Sequence, residues 1–248
     1  MSYLFTVSPD FTPDHLSGWY IFNTWLQKHS NTAIHLEIYN SFQAQHAAIA
    51  EDKIDLIYAN PFDAAMLVRE KGFLPLVKAT GISDEAVIVV KADSAIDDVA
   101  HLTAGIHVAL TQDPDVTMIG MIMLEPADLN ASNIHIDVYD TYVLVAKQLL
   151  QGKAEVGVFL AEAFDSLSNL TKSGLRVLVR SQISVIHHAL MIGPKLMDRR
   201  AEFQALLLAM NDDDKAKEVL RSLGFSTWDS VDDEAMEFMI DLMDTLAP

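Results

Sequence analysis

The 248 residues carry 17 Lys and Arg against 35 Asp and Glu, a formal charge of −18, with 50% hydrophobic residues and no cysteine. So acidic a chain, without a basic cluster, repels a phosphate backbone, which excludes nucleic-acid binding; the missing cysteines exclude disulfides, thiolate metal sites and cysteine nucleophiles. The hydrophobic half excludes disorder, and no apolar run reaches the about 18–20 residues of a membrane span.

Residues 4–7 read as a strand that stops at the turn-forming Ser8-Pro9-Asp10. Trp19, Phe22, Asn23 and Leu26 then recur at helical spacing, which predicts an amphipathic helix over 13–29. Residues 33–39 alternate as a strand, 41–52 form a helix, and 55–59 form a short buried strand closed by Asn60-Pro61. A helix over 62–71 and a strand over 74–80 follow. Strands separated by helices of this length imply crossover connections and a largely parallel sheet.

The pattern restarts with strands at 85–91 and 106–110, a helix from 116 to about Pro126, and a strand at 134–139. A helix at 141–151 and strands at 154–160, 175–181 and 185–192 complete this half. Beyond Pro194 the pattern is helical, over 199–210, 214–223 and 233–246, the last with Met236, Met239, Ile240 and Met243 on one core-facing stripe. No repeat or low-complexity linker separates the halves. The order suggests two α/β lobes: residues 1–83 and 188–248 form lobe 1 with the C-terminal helices, and 84–187 form an inserted lobe 2. Two extended crossings, near 83–87 and 183–187, would act as a hinge that restricts motion to opening and closing. The alternative is one continuous doubly wound sheet.

Several segments resemble the phosphate/phosphonate ABC-transporter substrate-binding family, of PhnD-like type 2 periplasmic-binding fold. They are Ile54-Asp55-Leu56-Ile57-Tyr58-Ala59-Asn60-Pro61, Gly72-Phe73-Leu74-Pro75-Leu76-Val77, the stretches at 86–96 and 102–110, Asp113-Pro114, and Gln151-Gly152-Lys153-Ala154-Glu155-Val156-Gly157. Six such pieces stand in family order and spacing. The resemblance implies an anion site where a Ser-Thr-Ser-Gly run opens a lobe 2 helix, whose free amides and dipole suit a phosphonate. Here that run reads Val116-Thr117-Met118-Ile119; a family tyrosine is replaced by Ala64 beside Asp63, and a Ser-His pair by Thr141-Tyr142.

Open α/β sheets bind ligands beyond the carboxyl ends of their strands, which makes Ser8, Asp10, Phe11, Asn60, Phe62 and Asp63 candidate ligand contacts. In lobe 2 the corresponding candidates are Asp115, Thr117, Met118, Thr141 and Tyr142, although Asp113 and Asp115 equally fit a helix cap. His187, beside His188 on an expected crossing strand, is the last candidate, against a purely structural role. Asp212-Asp213-Asp214 reads as a helix cap with solvated charge.

No metal-ligand spacing, nucleophile elbow, phosphate loop or dinucleotide fingerprint is present, so no metal, cofactor or catalysis is expected. The resemblance implies a solute-binding protein that closes two lobes over a small polar ligand and hands it to an ABC-transporter permease. The substitutions open the choice of ligand to zwitterionic, cationic or apolar solutes. The alternative is a ligand sensor of the same fold without a transport role. The N-terminus has no basic and apolar leader pattern, so the location reads as periplasmic if a leader has been removed and cytoplasmic otherwise.

Overall fold

In the computed structural model, residues 2–11 and 13–246 are described. The chain divides into two compact units. Unit 1 takes the chain up to Ile82 and His187–Met243; unit 2 takes Ser83–Ile186 and the chain from Asp244 on.

Unit 1 is built on a six-stranded sheet. Its strands are β1 (Tyr3–Val7), β2 (Ile34–Leu36), β3 (Leu56–Ala59), β4 (Leu74–Ala79), β10 (Ala189–Ile192) and β11 (Trp228–Ser230), in the order β11-β4-β10-β3-β1-β2. β1 runs parallel to β2 and β3, but β10 lies antiparallel between β3 and β4, and β11 antiparallel on β4. The sheet is therefore mixed, not largely parallel. The returning chain fills the slot between β3 and β4 that crossover logic alone leaves empty. β11 also interrupts the helical stretch expected beyond Pro194.

Local chemistry explains the helices. α1 (Leu16–Ser30) buries Trp19, Phe22, Asn23 and Leu26 on one face and ends at left-handed Asn31, with Lys28 and His29 in the last turn against the negative dipole end. α2 (Phe42–Ala50) starts on a Ser41 cap. α3 (Pro61–Lys71) has an Asn60 cap, proline in the first turn and Gly72 at φ 67 beyond its end. Phe5, Trp19, Phe22, Tyr58 and Trp228 form the centre of the core. Trp19 meets Phe5 and Phe22 edge-on at centroid distances of 6.1 and 5.9 Å, a geometry worth about 0.5–1.5 kcal/mol per pair beyond area burial. α8 (Arg200–Ala209), α9 (Asp214–Ser222) and α10 (Asp233–Leu246) follow β10. Asp213 caps α9 by accepting from Lys215 and Ala216 N–H, as the acidic triplet suggested, and Met236, Met239, Ile240 and Met243 of α10 are buried.

Unit 2 has the strands β5 (Ala86–Lys91), β6 (His107–Leu110), β7 (His135–Val138), β8 (Val156–Leu160) and β9 (Leu175–Arg180), in the order β7-β6-β8-β5-β9. β5 runs antiparallel to both neighbours, whereas β6 is parallel to β7 and β8. α4 (Pro114–Leu124) and α5 (Tyr142–Leu150) are the expected helices; α6 (Ala161–Ser166) and α7 (Asn169–Ser173) are short and carry too few turns to show a period. Val87, Val89, Val145, Leu149 and Phe159 are central to its core.

The return segment differs from expectation. Residues 182–188 are not a strand, and β10 starts only at Ala189. Ser184 has φ 60, a left-handed conformation that ends any strand. His187 therefore lies in irregular chain, not on a crossing strand.

Candidate functional site

Each unit carries its own set of polar groups at strand carboxyl ends. In unit 1 the ends of β1 and β3 are joined by Ser8, whose Oγ accepts the Asn60 N–H at 3.1 Å. Asn60 Oδ1 in turn accepts the Asp63 N–H at 2.7 Å, so the α3 cap and the β1 turn form one buried unit. Asp63 is 1% exposed, and its Oδ1 accepts from His46 Nε2 at 2.6 Å. Gln45, one residue earlier on α2, donates to Val7 O at 2.9 Å. Asp10 Oδ2 meets His188 Nε2 at 3.2 Å, and the His188 ring stacks on Tyr58 at 5.4 Å. Phe11 packs on the core, while the Phe62 ring is 52% exposed beside Asp63. The buried His187 donates through Nδ1 to His188 O.

Four atoms of this set are buried without a hydrogen-bond partner: Asp10 Oδ1, Gln45 Oε1, Asn60 Nδ2 and Asp63 Oδ2. Buried polar atoms are nearly always paired, and leaving one unpaired costs about 1–3 kcal/mol. Three acceptors and one donor thus remain among these groups, two of the acceptors being carboxylate oxygens.

In unit 2, α4 starts on Asp113, whose Oδ1 accepts the Val116 N–H at 3.3 Å. Its Oδ2 accepts from the Tyr142 hydroxyl at 3.0 Å. Burial, and then the Asp113 charge, push the Tyr142 phenol well above the usual tyrosine range, so it remains a donor. Its ring stacks on Phe159 at 5.8 Å. Asp115 is 2% exposed in the first turn of α4, and Met118 is half-buried. Thr117 turns its hydroxyl back onto Asp113 O at 2.7 Å, and the exposed Thr141 caps α5 through Leu144 N–H. One first-turn amide of α4, that of Val116, is therefore taken by a carboxylate of the chain itself.

His46, His188 and the Asp113–Tyr142 pair are the partners that sequence spacing did not single out. His46 lies seventeen residues from Asp63 on another helix, so no local pattern links them. The His187-His188 pair offered a choice, and it is His188 that reaches a carboxylate.

The family model described as ABC transporter, phosphonate, periplasmic substrate-binding protein matches residues 5–236. The chain belongs to that family. Substrate-binding proteins of this phosphonate family are solute-binding components of ABC importers, and this chain shares the role and the fold. Among solved structures, PhnD1 from Prochlorococcus marinus in complex with methylphosphonate is 11% identical with a TM-score of 0.81, covering 99% of this chain and 98% of that one. XAC2383 from Xanthomonas citri bound to ATP is 14% identical, with a TM-score of 0.77 and coverage of 99% and 98%. The periplasmic aliphatic sulphonate binding protein SsuA from Escherichia coli is 15% identical, with a TM-score of 0.65 and coverage of 98% and 87%. No curated protein matches the sequence. Among the described residues no helix is long and apolar enough to cross a membrane.

One pH effect arises within unit 1. The hydrogen bond to Asp63, opposed by partial burial and reinforced by the Asp63 charge, raises His46 above the ordinary histidine value. A raised folded-state value means that the added stability is fully present below about pH 6.5 and disappears as pH rises through the folded value. His46 is 41% exposed on its side chain, so solvent screening limits the gain to about a few tenths of a kcal/mol. An NMR titration should place the His46 midpoint above that of a model histidine, and Asp63→Asn should bring it down. An unchanged midpoint in Asp63→Asn would remove Asp63 as the cause.

Proposed function

We infer that this substrate-binding protein takes a small solute bearing an ammonium or similar cationic group. The observation that carries this reading is the pair of buried, unpartnered carboxylate oxygens, Asp10 Oδ1 and Asp63 Oδ2, at the β1 and β3 ends. A charged oxygen held out of water needs a donor, and an ammonium supplies both hydrogen bonds and charge. Asn60 Nδ2 asks the same solute for one acceptor.

The unit 2 groups support the same direction. A bare oxyanion gains most at a free helix N-terminus, but α4 is capped by Asp113, with Asp115 buried in its first turn. The formal charge of −18 attracts cationic solutes and repels anions at long range. Ser8, Asp10, Phe11, Asn60, Phe62 and Asp63 of unit 1, with His187, and Asp115, Thr117, Met118, Thr141 and Tyr142 of unit 2 are assigned to ligand binding. The solute leaves chemically unchanged; a permease receives it, and the periplasm of the family is the assigned compartment.

A thermal-shift survey checks the reading. Solutes with a primary ammonium should raise the midpoint, and Asp63→Asn should abolish the rise. Stabilisation by phosphate and simple phosphonates alone would overturn it.

A further inference from the structure

At the opposite end of the unit 1 sheet lies a cavity of about 210 Å³, lined by Ile49, Ile54, Phe73 and Pro194 and by Asp52, Asp55, Lys71 and Lys195. Asp55 directly precedes β3 and Phe73 precedes β4, while Ile192, the last residue of antiparallel β10, pairs with Leu56 and Leu74. The cavity therefore opens at the amino ends of β3 and β4, whereas Ser8, Asn60 and Asp63 sit at the carboxyl ends of β1 and β3. At about 3.3 Å per residue the five steps from Asp55 to Asn60 span roughly 16 Å, so this is a separate place.

Its walls are apolar: Ile49, Ile54 and Phe73 are each at most 5% exposed. Two ammonium groups are fixed on it. Lys71 Nζ donates to Asp52 Oδ1 at 2.8 Å and to Ala50 O at 3.3 Å. Lys195 Nζ donates to Asp52 O at 3.1 Å and lies 2.9 Å from Asp55 Oδ1. Asp52 has φ 53, and one residue in this left-handed turn offers its side chain to one lysine and its carbonyl to the other. Asp55 is fixed from the far side, its Oδ2 accepting the Leu4 N–H at 2.9 Å.

An ammonium has three N–H donors. Lys71 uses two of them on acceptors of the protein, and Lys195 uses one on Asp52 O while standing in an ion pair with Asp55, which leaves each at least one N–H. Both are held in place before any ligand arrives, so little side-chain entropy remains to be lost on binding. Gly193 adds a further sign of a shaped site. A Cβ there would stand 2.8 Å from Phe73 Cζ and 3.2 Å from Asp55 O, so the missing side chain leaves room for the ring beside the strand end.

We propose that this cavity is a second binding site, for a small carboxylate with a compact apolar body, which lays its body on Ile49, Ile54 and Phe73 and its carboxylate on Lys71 and Lys195. The volume fits a single ring or a branched alkyl group and is smaller than the roughly 300 Å³ at which drug-sized pockets begin. Affinity is correspondingly that of a fragment, with Kd about 1 mM. The site does not depend on which solute the strand-end groups take.

Benzoate and its neutral isostere benzamide test this on the intact chain by ¹H–¹⁵N NMR. Saturable shifts are expected for benzoate at the amides of Ile49, Ile54 and Phe73. Benzamide should bind at least fivefold more weakly, and Lys71→Gln should weaken benzoate by a similar factor. Lys71 pairs with an exposed carboxylate, so this variant keeps the fold, which its unchanged spectrum elsewhere would verify. No saturation, equal binding of benzamide, unaltered affinity in Lys71→Gln, or shifts confined to Ser8, Asn60 and Asp63 would each overturn the proposal.

Discussion

Gly18→Ala should destabilise unit 1 by about 3 kcal/mol, although alanine is the better helix former by up to about 1 kcal/mol in an open helix. Gly18 is buried in α1, and a Cβ built on it lies 2.1 Å from Ser222 O and 2.6 Å from Ser222 C. These are backbone atoms at the last turn of α9, so no side-chain rotation relieves the clash. Either α9 retreats from α1, opening the contact that buries Ala216 and Leu220, or the start of α1 unwinds. In a domain of this size such a loss lowers the thermal midpoint by roughly 6–12 °C. Thermal and denaturant unfolding of the purified variant measure it, and an unchanged or raised midpoint would show that the two helices do not meet backbone to backbone.

The second large effect is expected in unit 2. The Glu85 carboxylate gathers the return segment: it accepts from the Ser181 hydroxyl, from Ile183 N–H at 3.1 Å, from Ser184 N–H at 2.7 Å and, at the edge of range, from Ser83 Oγ at 3.4 Å. Ser181 Oγ also accepts the Ala86 N–H, so β5 and the end of β9 are tied through the same group. Hydrogen bonds to a charged acceptor contribute about 1.5–3 kcal/mol each, less than additively when shared by one carboxylate. Glu85→Ala should therefore cost about 2–4 kcal/mol and release the left-handed turn at Ser184. Hydrogen exchange at Ile183 and Ser184 should accelerate by at least tenfold, with little change in the middle of β8. Glu85→Gln should fall between the two, because one amide NH₂ then faces donors instead of an acceptor. Unchanged exchange at both amides would show that the carboxylate does not hold the segment.

The legibility of this fold varied with the physical signal. Long helices with caps were visible: Trp19, Phe22 and Leu26 mark α1, Asn60-Pro61 and Gly72 bracket α3, and Asp213 opens α9. Buried strands such as Leu56–Ala59 and Ala86–Lys91 stood out as short apolar runs. The antiparallel insertion of β10 did not, because strand order depends on where a distant segment docks and leaves no local period. β11 has three residues, two of them polar and exposed, and only Trp228 hints at its pairing with Ala79. The end of the return strand was missed for a local reason, since a serine at φ 60 looks like any other serine in the sequence.

The candidate site was legible as positions, not as pairings. Strand-end logic singled out Ser8, Asn60 and Asp63, which hydrogen bonds join within unit 1. It also singled out Tyr142 and Asp115 in unit 2, but not the bond from Tyr142 to Asp113. Thr117 and Thr141 follow from the same strand-end logic, and their hydroxyls also bond locally, one to the preceding turn and one as a helix cap.

In the proposed function the buried strand-end carboxylates select a cationic group on the solute. Ethylphosphonate and aminomethylphosphonate are nearly isosteric and differ by a methyl against an ammonium. Calorimetric titration of the purified chain with both, at neutral pH and fixed ionic strength, compares that single difference. Aminomethylphosphonate should bind at least tenfold more tightly, a preference of about 1.4 kcal/mol or more. Equal affinities, or tighter binding of ethylphosphonate, would contradict it.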